Sequence, residues 1–339
     1  MFLTEGSVLQ YLLDRRFADL ESVVDGSFYV GNLSRRNRNF RVVCGPRQYF
    51  LKQPKSWDAP SRRSLEQEAA LYWQSKTDPR FQPLKILMPE SYGYDPVHSV
   101  LTLEYLPGQT NLRSLEGRFH KSVARMAGAA MGAFHRDMRT ASDPAILPRR
   151  KPWYLSIHRA GGKEEEQGSK GQREVVRVIQ RPIEFGRALE SLSGGWREET
   201  AVHGDWKLEN CLLSQDARRI QVIDWEFANW GDPFEDVGTM LQSYWGFWVR
   251  SPAQYSLEQI RPALWAFLEG YAEADGRDPD EIASRAMPYA AARMLQTAYE
   301  AVDQEEKLNA AAVCLLQASL NILKRPQWAL GEILGGGRT

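Results

Sequence analysis

Short apolar runs separated by turn residues dominate the first hundred positions of the chain. Four runs rich in Val, Phe, Tyr and Leu predict strands, at residues 27–30, 40–44, 48–52 and 97–106. Together they predict a small, largely antiparallel sheet. Between them, Leu65, Ala69, Tyr72 and Trp73 fall on one face at helical spacing, which predicts a helix over residues 61–76.

The pattern becomes mainly helical after Pro107 and Gly108, which interrupt the chain behind the last predicted strand. Apolar residues at helical spacing predict a helix over residues 123–134 and further helices over residues 257–323. We therefore predict an α+β fold in two lobes. The bounds are 1–106 for a small N-terminal lobe and 107–330 for a larger, mainly helical lobe.

Two segments depart from this pattern. Residues 159–173 are charged and Gly-rich, which favours a mobile loop over a packed element. Residues 331–339 end in three glycines, an arginine and a threonine, and we expect a flexible tail there.

Composition narrows the classes of function. The chain has 339 residues, and 43 Lys and Arg balance 43 Asp and Glu, which argues against nucleic acid or an anionic membrane as the partner. No run approaches the roughly 20 apolar residues that span a bilayer, and the first residues lack the pattern of a signal peptide. The cysteines have no metal-ligand spacing. We expect a cytoplasmic protein with reduced thiols and no structural metal.

The candidate chemistry lies in three neighbouring segments: HGDWKLEN at residues 203–210, IDWE at 223–226 and GDPFED at 231–236. Residues 211–213 and 220–224 predict two strands joined by a polar turn. This arrangement would bring Asp205, Asn210 and Asp224 to one pocket. Three oxygen ligands suit Mg²⁺ held jointly with nucleotide phosphates, and they do not suit zinc.

In order, spacing and strand context, these segments resemble the aminoglycoside phosphotransferase and choline kinase family, whose members are related to the protein kinases. The resemblance implies a bilobal protein-kinase-like fold whose N-terminal lobe binds the nucleotide. It also implies a kinase with an alcohol group as acceptor, with ATP or GTP as the phosphate donor and Mg²⁺ as the metal.

The resemblance also implies roles for single residues. Asp205 would orient the acceptor hydroxyl and accept its proton, and Asn210 and Asp224 would hold Mg²⁺ against the phosphates. Lys207 would place a cation against the transferred phosphoryl group, and an ordinary surface lysine is the alternative. His203 is expected to support the loop rather than transfer a proton.

Asp232 and Asp236 are expected to be structural, through local hydrogen bonds and capping of a helix that begins near Phe234.

In the N-terminal lobe, Lys52 stands where the family keeps its phosphate-contacting lysine. Its expected ion-pair partner on the following helix is Glu68, with Glu66 as the alternative. Gly31 and Ser34 fall in the segment that would cover the nucleotide.

That segment has a single glycine and three arginines, Arg35, Arg36 and Arg38. The arginines would bind phosphates through side chains or form a solvated basic turn. Glu104 and Leu106 fall in the segment that matches the interlobe hinge, where backbone groups would hold the purine.

The acceptor stays open between three classes. The first is a small molecule of the aminoglycoside, amino alcohol or sugar type. Acidic segments at 273–281 and 300–306 would suit a cationic one, and the aromatic residues of 225–248 would serve either cation–π binding or core packing. The second class is a Ser/Thr hydroxyl of a peptide in a natural-product (lanthipeptide-like) pathway, with a partner protein. The third reading is a non-catalytic nucleotide-binding protein, which the intact set of candidate residues disfavours.

Overall fold

The computed structural model describes residues 2–34, 37–115, 117–140, 147–159 and 168–335. The chain divides into two compact units. The first comprises Met1–Thr110 and Leu212–Phe227, and the second comprises Asn111–Cys211 and Ala228–Thr339. The first unit therefore includes residues 212–227, which the sequence pattern assigned to the second lobe.

A five-stranded antiparallel sheet forms the first unit, in the order β1-β2-β3-β5-β4. Its strands are β1 (Phe28–Asn32), β2 (Arg38–Cys44), β3 (Arg47–Gln53), β4 (Ser91–Asp95) and β5 (Val100–Glu104). In β3, Tyr49 and Leu51 point into an apolar core with Phe40 and Val42 of β2. Lys52 lies on the other face of β3 because side chains alternate along a strand.

The described residues of this unit form four α-helices: α1 (Glu5–Asp14), α2 (Leu20–Val24), α3 (Ala59–Thr77) and α4 (Gln82–Leu87). Helix α3 begins at the cap residue Asp58, whose side chain accepts a hydrogen bond from the backbone N–H of Ser61. Leu65, Ala69 and Tyr72 bury one face of α3, as the spacing predicts, and Glu68 is buried with them. Trp73, which was expected on this face, is exposed.

Three short strands, β6 (Thr110–Asn111), β7 (Thr200–Val202) and β8 (Cys211–Leu213), are followed by β9 (Ile220–Val222) and β10 (Asn229–Gly231). Strand β9 neighbours β8. Strand β7 pairs with β10 in antiparallel register, with Val202 opposite Asn229. The pairing fixes the end of β7, from which the segment HGDWKLEN emerges.

The second unit is mainly helical. Its helices are α5 (Lys121–Arg139), α6 (Lys170–Gln180), α7 (Ile183–Gly194), α8 (Pro233–Arg250), α9 (Leu257–Asp275), α10 (Pro279–Glu300), α11 (Ala310–Lys324) and α12 (Pro326–Leu334). The predicted α+β class, with a small antiparallel sheet and a larger helical part, is confirmed. No helix in the described ranges is long and apolar enough to span a membrane.

Three details of the sequence prediction need correction. Residues 170–173, expected in a mobile loop, begin helix α6, where Ser169 and Gln172 form a capping box. Residues 331–334 of the expected tail are the end of α12. The run 97–106 forms a strand only over Val100–Glu104, and β4 precedes it. Residues 160–167 and 336–339 lie outside the described part.

Candidate active site

The loop that follows β7 is fixed by a carboxylate from helix α8. Asp236 is fully buried, and its side chain accepts hydrogen bonds from the backbone N–H groups of His203 at 2.7 Å and Gly204 at 2.9 Å. His135 also contacts it, at 3.2 Å. Gly204 has a φ of +76°, a left-handed conformation that glycine adopts without strain. Asp236 thus holds the turn immediately before Asp205.

Asp205 is 5% exposed, and both of its carboxylate oxygens are occupied. Arg293 Nη2 lies 2.5 Å from Oδ1, and Lys207 Nζ lies 2.8 Å from Oδ2. Asn210 Nδ2 donates to Oδ2 at 3.1 Å and to the Asp205 carbonyl at 2.9 Å. Because its amide nitrogen is engaged in this way, the oxygen of Asn210 is the end left for a cation.

Arg293 comes from helix α10 and is 3% exposed. Its Nη1 donates to Gln296 Oε1 at 2.9 Å, while its buried Nε has no hydrogen-bond partner among the described residues. Burial lowers the pKa of Arg293, but the carboxylate of Asp205 outweighs burial and raises the pKa above its ordinary value. The guanidinium therefore stays charged beside Asp205.

In the first unit, Lys52 lies among three carboxylates. Its Nζ is 2.7 Å from Glu68 Oε2 and 3.8 Å from Glu226 Oε2, and it donates a short hydrogen bond to Asp224 Oδ1. Glu68 also accepts a hydrogen bond from the backbone N–H of Trp225 at 3.2 Å. The alternative partner, Glu66, is exposed.

The charges of this cluster depend on one another. Burial lowers the pKa of Lys52, but Glu68, Asp224 and Glu226 together raise it well above its ordinary value. Burial raises the pKa of Glu68 to about 7, with Lys52 opposing that rise. One lysine thus offsets three carboxylates, so the cluster carries an excess of negative charge suited to a further cation.

Asp224 is the most exposed of the three, at 38% of its side chain. Its φ of +69° is unusual for a residue other than glycine and costs on the order of 1–3 kcal/mol. Oxygen atoms of Glu68, Asp224 and Glu226 lie within 4.8 Å of one another. Carboxylate oxygens of this kind suit Mg²⁺, so Asp224, one of the two predicted ligands, lies among donors that fit the metal.

The other predicted nucleotide contacts lie along the same sheet. Gly31 is in β1 opposite Arg41, and Ser34 follows the strand, where its hydroxyl accepts a hydrogen bond from the backbone N–H of Asn39 at 3.1 Å. Glu104 ends β5, and Leu106 follows it; both are half-buried. Arg35 and Arg36 lie outside the described residues.

Arg38 stacks on the ring of Phe2, with 4.5 Å between its guanidinium carbon and the ring centroid. Its position therefore favours a structural role over phosphate binding.

The sequence of the chain matches a known family over most of its length. The model of the phosphotransferase enzyme family matches residues 32–285, about three quarters of the chain. The chain belongs to this family. The resemblance inferred from the segments at 203–236 is confirmed, and so is the expected class of enzyme, a phosphotransferase.

Solved structures agree with this family assignment. The ethanolamine kinase of Plasmodium vivax has a TM-score of 0.63 at 13% identity, covering 96% of this chain and 91% of that one. A microcompartment-associated aminopropanol kinase has a TM-score of 0.59 at 15% identity, covering 98% and 99%. An aminoglycoside phosphotransferase, solved with ADP and hygromycin B, has a TM-score of 0.57 at 16% identity, covering 95% and 99%. At these identities they show the fold of the family alone.

A curated relative matches only a short stretch. Acyl-CoA dehydrogenase family member 11 of Rattus norvegicus is 36% identical over 64 residues, which are 19% of this chain and 8% of that protein. Because the chain spans so little of that protein, the match says nothing about the activity of the phosphotransferase described here.

Sequence reasoning missed two features of the site. Arg293 belongs to no motif and reaches Asp205 from 88 residues further along the chain. The sequence signal that could have pointed to it is the position of Arg293 within the apolar and small residues of 286–295. Glu226 was quoted within IDWE without a role, yet it lies buried beside Lys52.

Proposed function

We propose that this phosphotransferase moves the γ-phosphoryl group of ATP, with Mg²⁺, to a hydroxyl of a small molecule, with Asp205 as the catalytic base. The observation that carries the proposal is the environment of the Asp205 side chain. It is a buried carboxylate on a loop fixed by Asp236, with the cation of Lys207 at 2.8 Å. A carboxylate held in this way can orient a hydroxyl and receive its proton.

Lys52 is the group proposed to contact the nucleotide phosphates. It is fixed by Glu68 and keeps its charge, so it can neutralise phosphate oxygens without itself needing to reorganise. ATP is favoured over GTP as the donor because family structures are solved with ADP and with AMP.

Asp224 and Asn210 are the residues that would hold Mg²⁺. When bound, the metal would neutralise charge on the phosphate oxygens. The exposure of Asp224 leaves a carboxylate oxygen accessible beside Lys52. Asn210 would offer its amide oxygen, since its nitrogen is held by Asp205.

During transfer, the acceptor oxygen forms a bond to the γ-phosphorus, and the bond from that phosphorus to the bridging oxygen of ADP breaks. The proton of the acceptor hydroxyl passes to Asp205 and then to solvent. Lys207 is proposed to stabilise the negative charge of the phosphoryl group in the transition state. Removing the cation of Lys207 would therefore change the rate of transfer more than the affinity for ATP.

The acidic segments and the aromatic residues of 225–248, which suggested a cationic acceptor, have other roles in the structure. Three of the acidic residues expected to attract a cation are already paired: Glu273 with Arg125, Asp275 with Arg139 and Glu306 with Lys170.

The aromatic residues of the second unit also serve packing. Tyr244, Trp245 and Phe247 are almost fully buried, as the core-packing alternative requires. An amino alcohol still heads the list of acceptors, on the likeness to the ethanolamine and aminopropanol kinases.

The experiment is transfer of label from γ-labelled ATP with Mg²⁺ to separate acceptors: ethanolamine, choline, 1-amino-2-propanol, hygromycin B, glucose and a Ser/Thr peptide. The variant is Asp205→Asn, and the matched control is Asp280→Asn, an exposed aspartate in the same unit. We expect label on a small-molecule class that is lost in Asp205→Asn and kept in the control. Label on the peptide alone would replace the small-molecule reading by the peptide one. Label that survives Asp205→Asn would contradict the proposal.

A separate measurement tests the metal site. We expect Mg²⁺ to tighten ATP binding in the wild type and in Asp216→Ala, an exposed aspartate of the same unit, but not in Asp224→Ala. Titration calorimetry with and without Mg²⁺ measures this. An unchanged Mg²⁺ effect in Asp224→Ala would remove Asp224 from the metal site.

A further inference from the structure

Arg293 touches the carboxylate that the proposed function makes the base. We propose that Arg293 is the positioning residue of Asp205: it sets which oxygen of the carboxylate, and which direction, is presented to the acceptor hydroxyl. The inference rests on the proposed function, because it assigns a role to Arg293 through the role of Asp205.

The contact is rigid on both sides. Arg293 Nη2 lies 2.5 Å from Asp205 Oδ1, and both side chains are more than nine-tenths buried. On its other side, Arg293 Nη1 donates to Gln296 Oε1 at 2.9 Å, and Gln296 Nε2 donates to Glu300 Oε1 at 2.6 Å. Since α10 carries all three of these residues, the guanidinium has a fixed direction relative to the helix.

The contact with Arg293 limits which lone pairs of the Asp205 carboxylate are available to the acceptor. A carboxylate offers about four lone-pair sites. Lys207 and Asn210 use the sites of Oδ2, and Arg293 uses one of Oδ1. The remaining site is on Oδ1, beside Arg293. The acceptor O–H therefore has one lone pair to approach, and the guanidinium decides where it points.

A purely stabilising role explains the pair less well. Bringing two charged groups out of water costs nearly as much as their attraction returns, and apolar residues of similar volume would serve stability equally well. The pair also leaves the buried Nε of Arg293 without a partner among the described residues, which is a further cost. Orientation of the base is a function that apolar packing cannot supply.

The test compares Arg293→Met, Arg293→Lys and Asp205→Asn in the full chain, with Arg285→Met as the matched control. Arg285 lies about two turns earlier in α10. Its guanidinium carbon is 4.0 Å from the centroid of the Phe234 ring. The probes are ATP with Mg²⁺ and either ethanolamine or water alone as acceptor. With water, the products are ADP, inorganic phosphate and a proton. Rates, ATP affinity and thermal unfolding are measured for each variant.

We expect Arg293→Met to lower the single-turnover rate about 10²-fold while ATP affinity stays within about twofold of the wild type. Arg293→Lys keeps the charge but lacks the planar fork, so its rate should lie between those of the wild type and Arg293→Met. Because Arg293 acts through Asp205, the double variant Arg293→Met with Asp205→Asn should be no slower than Asp205→Asn alone. Arg285→Met should leave the rate unchanged.

The results distinguish a failure of the positioning role of Arg293 from a failure of the proposed function. Wild-type rates in Arg293→Met, or fully additive losses in the double variant, would overturn the positioning role while Asp205→Asn stays inactive. A fully active Asp205→Asn, or a wild type that transfers phosphate neither to water nor to any acceptor of the labelling experiment above, would contradict the proposed function and this role with it. If Arg293→Met does not fold, Arg293→Lys decides: a wild-type rate there would contradict a role that depends on the fork.

Discussion

At the scale of single residues, Lys52 and Arg293 are the buried lysine and the buried arginine of the described part of the chain. Each is at least 97% buried, and each stays charged because carboxylates lie against it. The resemblance to the family pointed to Lys52 and Asp205, since the strand that holds Lys52 and the spacing of HGDWKLEN are local properties of the sequence. The contact of Arg293 with Asp205 depends on tertiary packing, which no local pattern records.

Lys52→Met tests the role of the buried lysine. Without it, three carboxylates share a site with no cation, so we expect a loss of about 3–5 kcal/mol in the free energy of unfolding and much weaker ATP binding. Lys55→Met, at an exposed position, should change stability by less than about 0.5 kcal/mol. Urea unfolding and calorimetric ATP titration measure both. Equal stability of the two variants would contradict the cluster described here.

Glu235→Gln tests a buried carboxyl group on α8. Burial raises the pKa of Glu235 well above its ordinary value, and its Oε2 has no hydrogen-bond partner among the described residues. The folded state thus holds a proton that the unfolded state releases above pH 4.5, so this group makes stability fall as the pH rises from there.

Glutamine mimics the protonated form. We expect Glu235→Gln to resemble the wild type near pH 5 and to be more stable near pH 8, by about 1–3 kcal/mol. Urea unfolding at both pH values measures the difference, and Glu184→Gln is the control, since the Glu184 carboxylate is partly exposed and paired with Lys324 at 3.0 Å. An identical pH dependence in wild type and Glu235→Gln would mean that Glu235 does not hold its proton.

At the scale of elements, helices α5 and α9 approach each other closely through glycines. A Cβ atom on Gly128 of α5 would collide with the carbonyl oxygen of Phe267, and one on Gly270 of α9 would collide with that of Arg125. The sequence predicted helices in these regions from apolar spacing. It did not predict the crossing, since a helical glycine looks the same whether it faces solvent or another backbone.

Gly128→Ala should therefore destabilise the protein by about 1–3 kcal/mol, because the two helices must separate. Gly331→Ala is the matched control, since Gly331 lies in α12 with nothing within 4 Å of an added Cβ. It should raise stability by up to about 1 kcal/mol through helix propensity. Thermal unfolding measures both changes, and a stable Gly128→Ala would contradict the close crossing.

Other elements were missed for similar physical reasons. Strand β4 (Ser91–Asp95) has only polar, tyrosine and glycine residues, and it forms because β5 supplies its pairing partner. Helix α6 begins inside a polar segment because Ser169 and Gln172 cap it and because Val175, Val176 and Ile179 bury its other face. Strand β4 thus depends on its hairpin partner β5, and the start of α6 depends on contacts with residues distant in sequence, such as Val302.

At the scale of the whole molecule, sequence order and spatial organisation differ. Residues 212–227, which follow the segment HGDWKLEN, belong to the first unit and place Asp224 and Glu226 beside Lys52. The family could be predicted from three short segments because their spacing encodes the chemistry of phosphoryl transfer. The acceptor could not, because the composition of an acidic segment does not show which of its residues pair within the chain, as Glu273, Asp275 and Glu306 do.

The most direct test of the central claim is the single-turnover rate of phosphoryl transfer from γ-labelled ATP with Mg²⁺ in Asp205→Asn, compared with Asp280→Asn. The account predicts that Asp205→Asn loses about 10²–10⁴-fold in rate at unchanged ATP affinity, while Asp280→Asn transfers label at the wild-type rate. Equal rates in the two variants would contradict the assignment of Asp205 as the base of this phosphotransferase.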